Sequence, residues 1–72
     1  MIPIELAKKY GLPAIEEYPF GELDWYRTFL IQTDYVANKI AEALYLGEEI
    51  DEDYSDVIQA RKYARAKINE LS

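Results

Sequence analysis

The sequence predicts an all-α fold: an antiparallel helical hairpin preceded by a short helix and an extended arm. Three observations carry that prediction. From Glu22 to Leu46 the chain has no proline, and Gly21 and Gly47 flank the stretch. Within it Leu23, Tyr26, Leu30, Thr33, Ala37, Ile40 and Leu44 recur at alternating steps of three and four, which is one stripe of an α-helix. From about residue 51 to Leu71, Tyr54, Val57, Arg61, Ala64, Ile68 and Leu71 repeat that spacing, and only a short loop around Gly47 separates the two segments.

The first ten residues read as a short helix. Pro3 suits a first helical turn, and Ile2, Leu6 and Tyr10 share a face at steps of four. Gly11, Leu12 and Pro13 form a stop signal: a left-handed glycine, an apolar residue and a proline. A helix this short needs a surface to dock on. From Gly11 to Gly21 two prolines and two glycines break any period. Leu12, Ile15, Tyr18 and Phe20 are nonetheless too apolar for a free tether, so this stretch reads as an arm laid over a neighbouring surface. Residues 1–72 thus form one small domain, divided into the arm region 1–21 and the hairpin 22–72.

In the first long helix, Glu22 and Asp24 load the positive end of the dipole, and Gly47 closes the other end. Thr33-Asp34 is a possible internal cap that would split it in two. The second helix starts in an acidic stretch with Asp51 or Asp53 as N-cap, and it gathers Arg61, Lys62, Arg65 and Lys67 in its second half. Folding the two together sets Leu44 near Tyr54, Ile40 near Val57 and Ile58, and Leu30 near Ile68. It also sets Thr33 and Asp34 beside Arg61 and Arg65.

The first long helix carries a second stripe, Trp25, Phe29, Val36, Ile40 and Ala43, which a single partner helix does not cover. An uncovered patch of this size on a monomer marks an interaction surface. The expectation is therefore a partner interface of Trp25, Phe29, Val36 and Ala43, joined by Tyr18 and Phe20 from the arm. The N-terminal arm is one candidate cover for the stripe; a second copy of the long helix is the better one and would complete a bundle of four or more helices.

Composition narrows the function classes. Fourteen acidic against eight basic residues give a formal charge of −6, the wrong sign for phosphate backbones and for anionic membrane surfaces. With neither cysteine nor histidine, no disulfide is available and only carboxylates remain as likely metal ligands, so no cofactor is expected. No apolar run reaches the ~20 residues of a membrane-spanning helix, and the N-terminus lacks the basic start and apolar core of a signal peptide.

Four motifs bear on chemistry. Thr33, Asp34, Arg61 and Arg65 form an inter-helix polar cluster, read as a register-fixing ion pair or as a binding site for a carboxylate or phosphate. Asp51 to Asp56 resembles the start of a calcium loop, but Asp56 stands where glycine is needed and Lys62 where the closing glutamate belongs. Leu6 to Pro13 resembles the first helix and turn of a helix-turn-helix, and a small DNA-binding regulator is the alternative function; the residues that follow are acidic and interrupted by Pro19. Carboxylates are plentiful, yet none is set apart as a general acid or base.

The hairpin also resembles a known group. Arg27, the aliphatic pair Leu30-Ile31 and Thr33-Asp34-Tyr35 are similar to a segment of small tailed-phage and prophage proteins related to tail-assembly and tail-fibre-assembly chaperones. Ala60 to Leu71, with Arg61 and Arg65 four residues apart and Ile68 after them, resembles the helix that ends those proteins. The resemblance covers residues 22–71. It departs where continuous helix replaces a proline-rich loop, and where a tryptophan before the terminal arginines is missing. It implies a non-enzymatic protein-interaction role in virion tail assembly or structure, with other phage tail proteins as partners. It also implies a location in the host cytoplasm or in a virion.

Overall fold

The structure, a computed structural model, describes residues 1–49 and 52–72. Three α-helices follow in order: α1 (Ile4–Lys9), α2 (Glu22–Leu46) and α3 (Glu52–Leu71), with a 3₁₀ turn at Ile15–Glu17 between the first two. α2 and α3 pack along one another as the hairpin. The molecule measures 40 × 23 × 17 Å. Its long axis is α2, whose 25 residues rise about 38 Å.

Local sequence explains where the helices stop. Pro3 precedes α1 in an extended conformation and caps it from outside its first turn. At the other end Gly11 takes φ +85°, so Leu12 N–H reaches back to the Ala7 carbonyl at 3.0 Å and Gly11 N–H to that of Lys8 at 3.0 Å. The same pair of closing bonds ends α2: Gly47 has φ +73°, Glu48 N–H donates to Ala43 at 2.8 Å and Gly47 N–H to Leu44 at 3.2 Å. Both stops satisfy carbonyls that a helix end leaves open, and both need the left-handed backbone that glycine adopts freely.

α2 runs unbroken through Thr33-Asp34. The Thr33 hydroxyl donates to the Phe29 carbonyl at 2.8 Å, one turn back, so it bonds within the helix and caps nothing. Asp53 falls inside α3; the alternative cap, Asp51, lies outside the described residues.

The core corrects the expected interface. Trp25, Phe29, Val36 and Ile40, the second stripe of α2, are all buried within this one chain. Ile2, Ala7 and Leu12 share a cluster with Trp25 and Phe29, into which α3 sends Ala60 and Ala64. Leu6 and Tyr10 pack against Val36, Ile40 and Val57 further along. Large rings from α2 thus meet alanines from α1 and α3, and the small side chains let three elements close on one stripe. The Trp25 indole N–H donates to the Pro13 carbonyl at 3.0 Å, which ties the arm to the helix. Trp25 and Phe29 rings stack at 5.9 Å and 6°, and Tyr26 meets Trp25 edge-on at 5.3 Å.

Phe29 is fully buried, so Phe29→Ala is expected to lower unfolding free energy by about 3–5 kcal/mol. Urea denaturation checks this. A loss below about 1 kcal/mol would mean the ring faces solvent or a partner.

Tyr26 supplies a second test. Burial, with Tyr63 beside it, pushes its phenol from the ordinary 10.0 up to about 12. Folding therefore favours the protonated form. That contribution is fully present below pH 10.0 and is lost as pH rises toward about 12. Stability should fall across that window, and Tyr26→Phe should make the fall shallower; an unchanged slope would contradict the assignment.

Candidate interaction surface

The N-terminal residues occupy one side of the hairpin and leave Met1, Ile4 and Phe20 exposed there, while further apolar side chains are exposed on α2 and α3. At 100° per residue, Ala60 and Ala64 point to one side of Val57 on α3 while Ile58 and Arg65 point to the other. On α2 the matching flank is the row Leu23, Leu30, Ala37 and Leu44, each seven residues after the last. Leu23, Leu30 and Ala37 are only half-buried, Leu44 is 62% exposed and Ile58 43% exposed. Leu44, expected in the seam beside Tyr54, is instead largely exposed. Ile31, Tyr35 and Tyr45, further round α2, are exposed as well.

The predicted interface residues separate into three groups. Trp25, Phe29 and Val36 are core; Ala43 and Tyr18 are half-buried; Phe20 is 73% exposed. Tyr18 donates to an Asp24 carboxylate oxygen, lies 3.3 Å from the Thr28 hydroxyl, and meets Phe20 edge-on at 5.4 Å. Its bond to Asp24 raises the phenol above its usual value. This pair anchors the arm at the start of α2. It does not join the open flank.

Three of the four polar-cluster residues come together. Arg61 Nη1 donates to the Thr33 hydroxyl at 2.7 Å and to the Leu30 carbonyl at 2.8 Å. Its Nη2 lies 3.5 Å from Asp34 Oδ1. Thr33 is fully buried and Arg61 largely so, whereas the Asp34 side chain is 70% exposed. The hydroxyl and carbonyl are therefore the stronger partners, and the carboxylate is a weakly coupled surface charge. Arg65 does not join them: it is exposed and forms no ion pair with any described residue. Arg61 is thus committed to protein acceptors that span α2 and α3.

Sequence reasoning missed a cleft of about 220 Å³ between α1, the 3₁₀ turn and the start of α2. Ile2, Ile4, Ala14, Ile15, Trp25 and Tyr26 line it, with Glu16 at its edge. It is smaller than the usual small-molecule site and lacks converging polar groups. Among the described residues no group of three or more acidic side chains is placed to hold a metal ion. No described helix is long and apolar enough to cross a membrane. After Pro13 the chain makes a single 3₁₀ turn containing Glu16 and Glu17, where a helix-turn-helix would place its recognition helix.

Comparison of the chain with protein-family models, curated proteins and solved structures yields no match.

The cluster geometry separates two substitutions. Arg61→Gln is expected to cost about 2 kcal/mol, since it removes charge-assisted bonds at a buried hydroxyl. Asp34→Asn should stay within ~1 kcal/mol. Equal losses in paired denaturation curves would show that the ion pair, and not the Thr33 contact, fixes the register.

Proposed function

We propose that this chain is a non-enzymatic protein-interaction module whose working surface is the open flank of the hairpin. The observation that carries the reading is the pairing of a closed core with an uncovered apolar row. Trp25 and Phe29 are satisfied inside the chain, while Leu44 and Ile58 remain exposed on the side that the N-terminal residues leave bare. Grouped apolar exposure next to a completed core is the pattern of a surface kept for a partner. The acidic overall charge supports a protein partner over a nucleic acid.

The segments around Thr33-Asp34-Tyr35 and Arg61 to Arg65 support a link to phage tail assembly or structure, through their resemblance to the chaperone-related proteins. On that reading the partners are tail proteins, met in the host cytoplasm or within a virion. Tail genes beside the coding sequence would agree with this origin.

A photo-crosslinking residue at position 58 tests the working surface directly. Expressed in the native host, the Ile58 variant should give discrete protein adducts, and the same residue at Lys8, an exposed site on α1, should not. Equal labelling from both positions, or none from either, would overturn the reading.

A further inference from the structure

We propose that the open flank takes an amphipathic helix of another protein, with an apolar row along its length and Asp or Glu side chains beside that row at one end. This inference rests on the interaction-module reading and names the partner's chemistry.

Charge on the flank runs against the charge of the chain. At 100° per residue, Arg27 and Asp34 fall on the same flank of α2 as Leu30, and Arg61, Lys62 and Arg65 on the same flank of α3 as Ile58. Four of the chain's eight basic residues therefore share this face. Among the described residues Asp34 is its one acid. By the same angular step Glu22, Asp24 and Glu42 point to other sides of α2, and Asp56 and Glu70 to other sides of α3. A chain of formal charge −6 thus carries one positive face.

Register gathers that charge at one end. Arg61 reaches the Leu30 carbonyl and the Thr33 hydroxyl. Arg65, four residues further along α3, therefore comes level with Arg27 near the start of α2. Arg27, Lys62 and Arg65 are exposed and form no ion pair with any described residue, and Asp34 lies against Arg61. Like charges four residues apart on a helix, as Arg61 and Arg65 are, repel each other. Carboxylates brought beside them relieve that repulsion and match the guanidinium fork.

Toward the hairpin tip the flank changes character. Ala37, Ala41 and Leu44 on α2 and Tyr54 and Ile58 on α3 lie there, with no charged described residue among them. The row Leu23, Leu30, Ala37 and Leu44 keeps the step of seven at which a further helix packs into the groove of a pair. A partner matched to this face is apolar along its whole contact row and acidic only beside Arg27, Lys62 and Arg65. Nucleic acid does not fit that division. Its phosphates would continue past the basic end onto apolar side chains, and the remaining surface of the chain repels a polyanion.

The probe is a synthetic helix of three heptads, about 21 residues to match the row. It carries leucine along one stripe and glutamate beside that stripe in the first heptad; its twin carries lysine there. The glutamate peptide should bind the full chain, more weakly as salt rises, and at least about tenfold tighter than the lysine peptide. Arg27→Glu combined with Arg65→Glu should reverse that preference, and Ile58→Asn should weaken binding of both peptides. All three positions are exposed, so the helix signal should not change. Equal affinity for the two peptides, an unchanged preference in the double variant, or no binding tighter than about 1 mM would overturn the proposal. So would duplex DNA that displaces the glutamate peptide, or a dimer of the chain in light scattering that Ile58→Asn dissolves. Discrete adducts from position 58 that map to a partner segment without acidic residues would reject the acidic helix and leave the interaction surface standing.

Discussion

The indole of Trp25 holds together two parts of the chain that local sequence alone would leave separate. Its N–H meets the Pro13 carbonyl, and its ring lies in the cluster formed by Ile2, Ala7 and Leu12 with Phe29, Ala60 and Ala64. α1 is only six residues long, too short to persist by itself, and it acquires its stability by covering this stripe. In return the hairpin obtains the third layer that its wide apolar face demands. A two-helix hairpin of this size would be marginal; closing one flank with the N-terminal residues gives it a core without disulfide or metal.

Most of the architecture was legible from periodicity and punctuation. The limits of α2, the glycine stops at Gly11 and Gly47, and the α2–α3 pairing all follow from apolar spacing and turn chemistry. The assignment of faces was not. A stripe containing Trp25 and Phe29 is surplus to α3, and of its two candidate covers, the N-terminal arm and a second copy, the N-terminal residues are the ones that close it. The signal was present in the alanines. Ala7, Ala60 and Ala64 are small residues on apolar faces, and such faces mark places where another element comes close. Leu44 failed in the opposite sense: it keeps the heptad step, yet its side chain is largely exposed.

The polar cluster shows why residue types alone do not assign roles. Thr33, Asp34, Arg61 and Arg65 are neighbours on paired faces, yet of the two arginines only Arg61 is drawn inward. It is held by a buried hydroxyl and a backbone carbonyl, whose positions along α2 set the register of α3. Arg65, one turn later, stays in solvent with Lys62. One arginine therefore belongs to the fold, and the other is available for contact with a partner. The exposed row beside them, Leu44 and Ile58 above all, is the proposed interaction surface.

The claim on which this account turns is that the chain closes its own tryptophan stripe. The indole N–H of Trp25, the single tryptophan, gives one resonance whose hydrogen exchange can be followed across a range of protein concentrations. Exchange should be slow and independent of concentration, because Pro13 and the N-terminal cluster protect the group within each copy. Rapid exchange at all concentrations, or protection that appears only as the protein is concentrated, would place that stripe at a surface and contradict the account.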